Sequence, residues 1–335
     1  MPYQIFLKKA HLIILFLIAR EGQCVNQQPL DSTADIVESI TSLPHDSSVL
    51  PKIFKILDGN PMNRALIVSL NSEWERKGCG GCKVLTKAYP LFFAYQPNLY
   101  KHLPQIRRYG GSWFVYKSHS NSQLKRGDEL ISINGKDIWN SFPIEASNKT
   151  IVKFRPNPFV KIISKDVDKK QLTKPIMPKF FKFEGKLFLL IDSSAEINQD
   201  SILKMLNNEV TATILDLRSP SPLKSPHTTL AQVLKDQASK VAILVNHETS
   251  GPWSILAFQM KKAGAKVWGE PTPKTYSQFE ITQSKNILLR LPSQSATPVA
   301  ALTPDFFIKD TFIYSEGHDL ALEHCLNLIN EGNLL

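Results

Sequence analysis

The chain has 335 residues, 42% hydrophobic and 21% charged, which excludes a disordered or fibrous polypeptide and leaves room for two domains or one large domain with an insert. Lys and Arg number 40 against 30 Asp and Glu, a formal net charge of +10 that favours anionic membranes or envelope polymers by long-range attraction. There is no zinc-ligand spacing, no aromatic-plus-basic RNA signature and no basic run of five or more, so neither nucleic acid, metal nor cofactor is expected.

In chain order, Lys8 and Lys9 precede an apolar run from Leu12 to Ala19 that is too short to span a bilayer but suits a secretory signal. Residues 1–24 therefore read as a signal peptide or an uncleaved anchor, and the protein as exported, periplasmic or extracellular. Residues 25–108 form an N-terminal region: a polar arm to about Pro61, a predicted strand over Ala65 to Leu70, then Cys79-Gly80-Gly81-Cys82 ahead of a candidate helix, Val84 to Tyr89. Two cysteines at this spacing suit a disulfide in an oxidising compartment, a redox pair at a helix start, or half of a metal site whose other half is missing. Cys325 reads as a buried apolar residue of the last helix.

Trp113 to Tyr116 is a predicted strand, and Leu124 to Gly135, LKRGDELISING, has a Gly-Asp turn, alternating apolar residues and an Asn-Gly hairpin signal. This string resembles the core of PDZ modules, which implies a small β-rich module over 109–150 that captures the C-terminal tail of a protein or peptide by strand addition. Residues 151–183, rich in Pro and Lys, read as a linker. From 184 to 335 the pattern becomes mixed α/β: predicted strands at 186–191, 212–217, 241–245 and 266–268, with a short helix over Asp200 to Leu206.

The chemistry concentrates between Val241 and Gln278. A strand leads into the polar turn Asn246 to Gly251, and Pro252 opens a helix that Gly264 ends. Ser250 is thereby placed at a helix N-terminus, whose free N–H groups and dipole can receive an oxyanion, with Gly251 as a candidate donor. Lys274 follows 24 residues on, and Gln278 shares its face if the segment is a continuous strand. On residue chemistry alone, Ser250 reads equally as a helix cap and Lys274 as a solvated surface charge. A lysine acts as a base near neutral pH only where burial or neighbours favour its neutral form, and Phe258, Trp268 and Phe279 are the candidate apolar neighbours.

The string V-N-H-E-T-S-G, the apolar helix, A-G-A-K-V-W-G-E-P-T, then Lys274 and Gln278 resembles the carboxyl-terminal processing (tail-specific) serine peptidases. Gly185, Ile214 to Arg218, Leu302 to Asp305 and Gly317 to Asp319 extend the likeness. The resemblance implies a crotonase-type core in which Ser250 attacks, Lys274 is the base and Gln278 orients the lysine. Anchoring on the Gly269 to Thr272 string selects Ser250; anchoring within the helix selects Thr249, and anchoring on Gly264 selects Gly251. The chain departs from the family at Pro252-Trp253-Ser254 and at Ser219 to Pro222, where an oxyanion-hole glycine is missing and His227 is a nearby substitute. These departures keep a second reading open, a catalytically inactive, peptidase-derived binding protein of the cell envelope.

Overall fold

The computed structural model describes residues 64–76, 78–86, 105–109, 112–117, 124–137, 149–168, 178–193, 204–206, 210–218, 228–283 and 287–332, all within one compact unit spanning 41–335. The expected leader, the polar arm, the Ser219 to Pro222 loop and His227 lie outside them. Helix α1 (Arg64–Arg76) occupies the stretch expected to begin with a strand. Its buried residues Leu70 and Trp74 stand four apart, a helical period that extends past the apolar run into the polar residues after it. After the C-G-G-C loop comes strand β1 (Lys83–Thr86) where a helix was expected. Asn71 sets that conformation, because its side-chain amide donates to the Val84 carbonyl at 3.1 Å and its oxygen accepts the Val84 N–H at 2.7 Å.

An antiparallel sheet follows, with β2 (Gln105–Tyr109), β3 (Ser112–Lys117), β4 (Glu129–Ile133), β6 (Lys149–Arg155) and β7 (Ile163–Asp168) in that spatial order and the short β5 (Lys136–Asp137) paired to β4. Asn134 and Gly135 both have positive φ, as a two-residue hairpin turn requires, and they pair Ile133 with Lys136. Trp113, Val115, Leu130, Ile133, Val152 and Phe154 make its core. The sheet runs well past residue 150. The expected linker carries β6, β7 and then β8 (Lys179–Phe183), since β6 alternates buried Val152 and Phe154 with exposed Ile151 and Lys153 and so can close an antiparallel sheet.

The rest of the chain is organised on a six-stranded sheet. It contains β8, β9 (Lys186–Asp192), β10 (Ala212–Asp216), β11 (Val241–Val245) after helix α2 (Thr228–Asp236), and β12 (Lys266–Gly269) after helix α3 (Pro252–Lys262). Beside it lie a short ladder and a three-stranded sheet, built from β13 (Thr275–Tyr276), β14 (Phe279–Gln283), β15 (Ile287–Pro292) and β16 (Pro298–Val299): β13 pairs β16, and β15 sits between β1 and β14. Strand β17 (Phe306–Phe307) completes the large sheet beside β12, and helix α4 (Leu320–Asn330) ends the fold.

Strands β9, β10, β11, β12 and β17 are parallel, and β8 is antiparallel to β9. Successive residues of β11 point to opposite faces. Ile243 and Val245 meet Trp253, Leu256, Ala257 and Met260 of α3, while Ala242 and Leu244 meet Cys325, Leu326 and Ile329 of α4. Burial on both faces explains why these strands are unbroken apolar runs. The mixed α/β class read from the sequence is the class the structure has.

Candidate functional site

In open parallel sheets the carboxyl ends of the strands are where polar groups can gather, and here two clusters do. The first is the turn between β11 and α3. Asn246 is buried and its side-chain oxygen accepts the Glu248 N–H at 3.0 Å, closing a tight Asx turn. Thr249 accepts the Asn246 N–H at 3.1 Å and donates its hydroxyl to the Leu217 carbonyl at 2.8 Å, pinning the turn to the exit of β10. Ser254, one turn into the helix, donates to the Thr249 carbonyl at 2.8 Å. Thr249 is thus a structural hydroxyl with both roles engaged. Ser250, the next residue, is 3% exposed and stands directly before the helix cap Gly251.

Gly251 has φ +64°, and a Cβ there would lie 3.2 Å from the Phe279 ring and 3.6 Å from the Arg290 guanidinium. Only glycine fits both the backbone and the space. Its N–H donates to the Thr275 hydroxyl at 3.3 Å, a long bond that ties the serine turn to the residue after Lys274. The segment approaching Lys274 is fixed from the other side by Thr272, whose N–H donates to the Leu302 carbonyl at 3.0 Å and whose hydroxyl accepts the Leu302 N–H at 2.8 Å.

Cys79 and Cys82 are joined by a disulfide, their Cα atoms 5.4 Å apart, and the loop they close packs on the same segment. The Gly80 N–H donates to the Lys274 carbonyl at 2.9 Å, and a Cβ on Gly80 would strike Pro273 at 2.3 Å. One on Gly81 would strike Phe279 at 2.2 Å. Phe279 therefore sits between the disulfide loop and the serine turn, with Arg290 stacked over its ring at 4.1 Å and donating to the Gly81 carbonyl at 3.2 Å. The stem of Lys274 runs past Gly78, and the side chain is exposed.

The structure brings the Ser250 turn and the Lys274 segment side by side through Thr275, but it forms no Ser250 to Lys274 hydrogen bond among the described residues. Gln278 departs from its expected position. The strand breaks after Tyr276, and the exposed Gln278 accepts from Ser293 at 3.4 Å and Ser295 at 3.3 Å. Of the three expected apolar neighbours, only Phe279 packs on the turn. Trp268 is buried on the α4 side of the sheet against Phe306, and Phe258 is partly exposed beneath Lys262. Thr275 and Arg290 have no mark in the sequence, whereas Phe279 is one of the expected apolar neighbours and its place against the disulfide loop is what the structure adds.

The second cluster is ionic. Lys117 of β3, 9% exposed, reaches Asp192 at 2.8 Å and Asp216 at 3.2 Å. Arg218 grips Asp216 through two nitrogens at 3.0 Å and Asp319 through two at 2.7 and 2.6 Å. Arg126 pairs with Asp310, which also accepts from the Tyr116 hydroxyl. Burial alone would raise the Asp216 carboxyl, but the charges of Arg218 and Lys117 outweigh it and hold the group well below the usual carboxylate range. Burial likewise opposes ionisation of Asp319, and Arg218 again outweighs it, so that carboxyl is also held low. The clusters touch where Asn246 donates to the Tyr116 hydroxyl at 3.3 Å. Among the described residues no group of three or more His, Cys, Asp or Glu side chains is placed to hold a metal.

Comparison with known proteins adds a few distant likenesses. No family model matches the chain, and no curated protein does. Among solved structures, a protein described as an S41 protease from Bacteroides fragilis has 11% identity and a TM-score of 0.43 over 75% of this chain and 86% of its own. Mature CPAF complexed with lactacystin has 9% identity and a TM-score of 0.37 over 89% and 99%. A lipoprotein from Streptococcus agalactiae has 10% identity and a TM-score of 0.35 over 93% and 99%.

Proposed function

We propose that this protein is an exported serine-type endopeptidase of the tail-specific kind, with Ser250 as nucleophile and Lys274 as base, acting on the C-terminal tails of proteins or peptides. The observation that carries the reading is the buried serine at a strand-to-helix turn whose neighbour Gly251 is hydrogen-bonded to the residue following Lys274. The Ser250 hydroxyl attacks the scissile carbonyl carbon as its proton passes to the Lys274 amine. The oxyanion is received by the Gly251 N–H, which exchanges its long bond to the Thr275 hydroxyl for it, the C–N bond breaks, and the leaving amine takes the proton from Lys274. Water then hydrolyses the acyl ester. Phe279 and the disulfide loop hold the Lys274 backbone in place, and the burial that a lysine base requires is supplied when an arriving peptide covers its exposed side chain.

A biotinylated fluorophosphonate tests this on the intact chain. Labelling of the wild type is expected at Ser250, mapped by peptide mass spectrometry, and Ser250→Ala and Lys274→Ala should each lower labelling by roughly a thousandfold or more while the circular dichroism spectrum is unchanged. A wild type that takes no label but still binds peptides would replace the peptidase by the envelope binding protein.

A further inference from the structure

Among the described residues, the hairpin between β6 and β7 groups several large exposed apolar side chains in one short segment. Pro158 to Ile162 are all exposed, and within them Phe159 is 94% exposed, Val160 45% and Ile162 47%. Large apolar side chains grouped on one exposed tip mark a contact surface. The tip is a built turn: Asn157 accepts the Phe159 N–H on its side chain at 3.0 Å and the Val160 N–H on its carbonyl at 3.1 Å, which holds the Phe159 backbone in place. Its base is anchored by the Asn157 amide donating to Glu316 at 3.2 Å. Ile151, 45% exposed, lies further down the outer face of β6, beyond Lys153 and Arg155.

Basic residues outnumber acidic ones around this tip, where Glu316 at Asn157 and Asp166 across from Ile151 are the nearby carboxylates. Residues 151–165 contain Lys153, Arg155, Lys161 and Lys165 and no acidic residue. Arg155 is partly neutralised by Glu129 at 3.7 Å, while Lys153, Lys161 and Lys165 are exposed. We propose that the β6–β7 hairpin is a membrane-docking element: Phe159, Val160 and Ile162 enter the boundary between headgroups and acyl chains, and the three lysines contact anionic lipid phosphates. Charge complementarity selects this occupant. An exposed apolar tip flanked by the exposed Lys153, Lys161 and Lys165 matches a bilayer whose interior is apolar and whose surface is negative. The chain's net charge of +10 adds long-range attraction in the same sense.

The test is sedimentation of the full chain with vesicles of phosphatidylcholine alone and of phosphatidylcholine mixed with phosphatidylglycerol. Wild type should pellet with the mixed vesicles and stay in the supernatant with the neutral ones. Phe159→Asp should lower the partition coefficient roughly tenfold or more, by removing a buried aromatic group. Lys161→Gln should lower it about fivefold, by removing one cation at the surface. Because both side chains point to solvent, each variant should keep the wild-type circular dichroism spectrum and melting temperature. An environment-sensitive fluorophore on Val160→Cys should shift to the blue only with the mixed vesicles. The proposal is overturned if Phe159→Asp pellets like wild type. It is equally overturned if wild type stays in the supernatant, or if it self-associates without lipid and Phe159→Asp reverses that, which would make a second copy of the chain the occupant.

Discussion

The two polar clusters at the carboxyl ends of the large sheet solve opposite problems. In the ionic cluster, among the described residues, Lys117, Arg126 and Arg218 meet Asp192, Asp216, Asp310 and Asp319, each charge having at least one opposite partner within hydrogen-bonding reach. In the serine turn the buried Asn246, Thr249, Ser250 and Ser254 are neutral, the one buried charge beside them among the described residues being Arg290 stacked on Phe279, and the candidate base, Lys274, keeps its side chain in solvent. A charge surrounded by partners is costly to disturb and suits holding elements together. A hydroxyl among backbone donors with a movable amine nearby suits chemistry. The ionic cluster joins β3 of the antiparallel sheet to β9, β10 and the segment before α4, and so it sets the platform on which the turn stands.

The sharpest way to break this contrast is to remove Arg218. Arg218→Leu would leave Asp319 without its two-nitrogen partner and the buried Asp216 with Lys117 alone, and a loss on the order of 3 kcal/mol is expected by urea denaturation. Lys274→Ala, at an exposed side chain, should stay within about 0.5 kcal/mol of wild type in the same experiment. If the two variants lose stability alike, the division of labour between the clusters is wrong.

Much of this framework was legible in the sequence and some was not, for physical reasons. Strands β9 to β12 and helix α3 announce themselves because burial on both faces gives long apolar runs, and Pro252 and Gly264 punctuate the helix. Helix α1 and strand β1 were exchanged for one another in kind, because what decides them is the pairing of Asn71 with Val84 and of β1 with β15, contacts between distant segments. At the site, Ser250, Lys274 and the two cysteines stand out by residue type. Arg290 and the Lys117 to Asp192 pair do not, since 75 residues separate that pair and no spacing rule connects them.

A smaller effect separates the clusters by pH. Asp216 and Asp319 are held low in the folded chain, so folding binds fewer protons than unfolding there. Their contribution is complete above the unfolded aspartate value of about 3.9 and is lost as pH falls below it toward the folded values. Wild type should lose stability steeply below about pH 4. In Arg218→Leu that slope should be shallower, read from urea midpoints across the acid range. An equal slope in both proteins would show that other carboxylates carry the acid sensitivity.

The smallest effect bears on which hydroxyl is the nucleophile. Thr249 and Ser250 are adjacent, and counting along the helix assigns the role to one or the other, but their surroundings differ. The Thr249 hydroxyl already donates to the Leu217 carbonyl and accepts the Asn246 N–H, and both partners are buried main-chain groups. Thr249→Val keeps the shape and deletes both bonds, which should cost about 1 to 3 kcal/mol, whereas Thr249→Ser retains them and should cost less, the loss being one methyl group. Labelling by the fluorophosphonate should persist in both variants at the low temperature where each is fully folded, because the attacking oxygen belongs to the next residue. If Thr249→Val folds normally yet takes no label, while Ser250→Ala is labelled like wild type, the nucleophile lies one residue earlier and the hydrogen bonds of Thr249 must break before it can act.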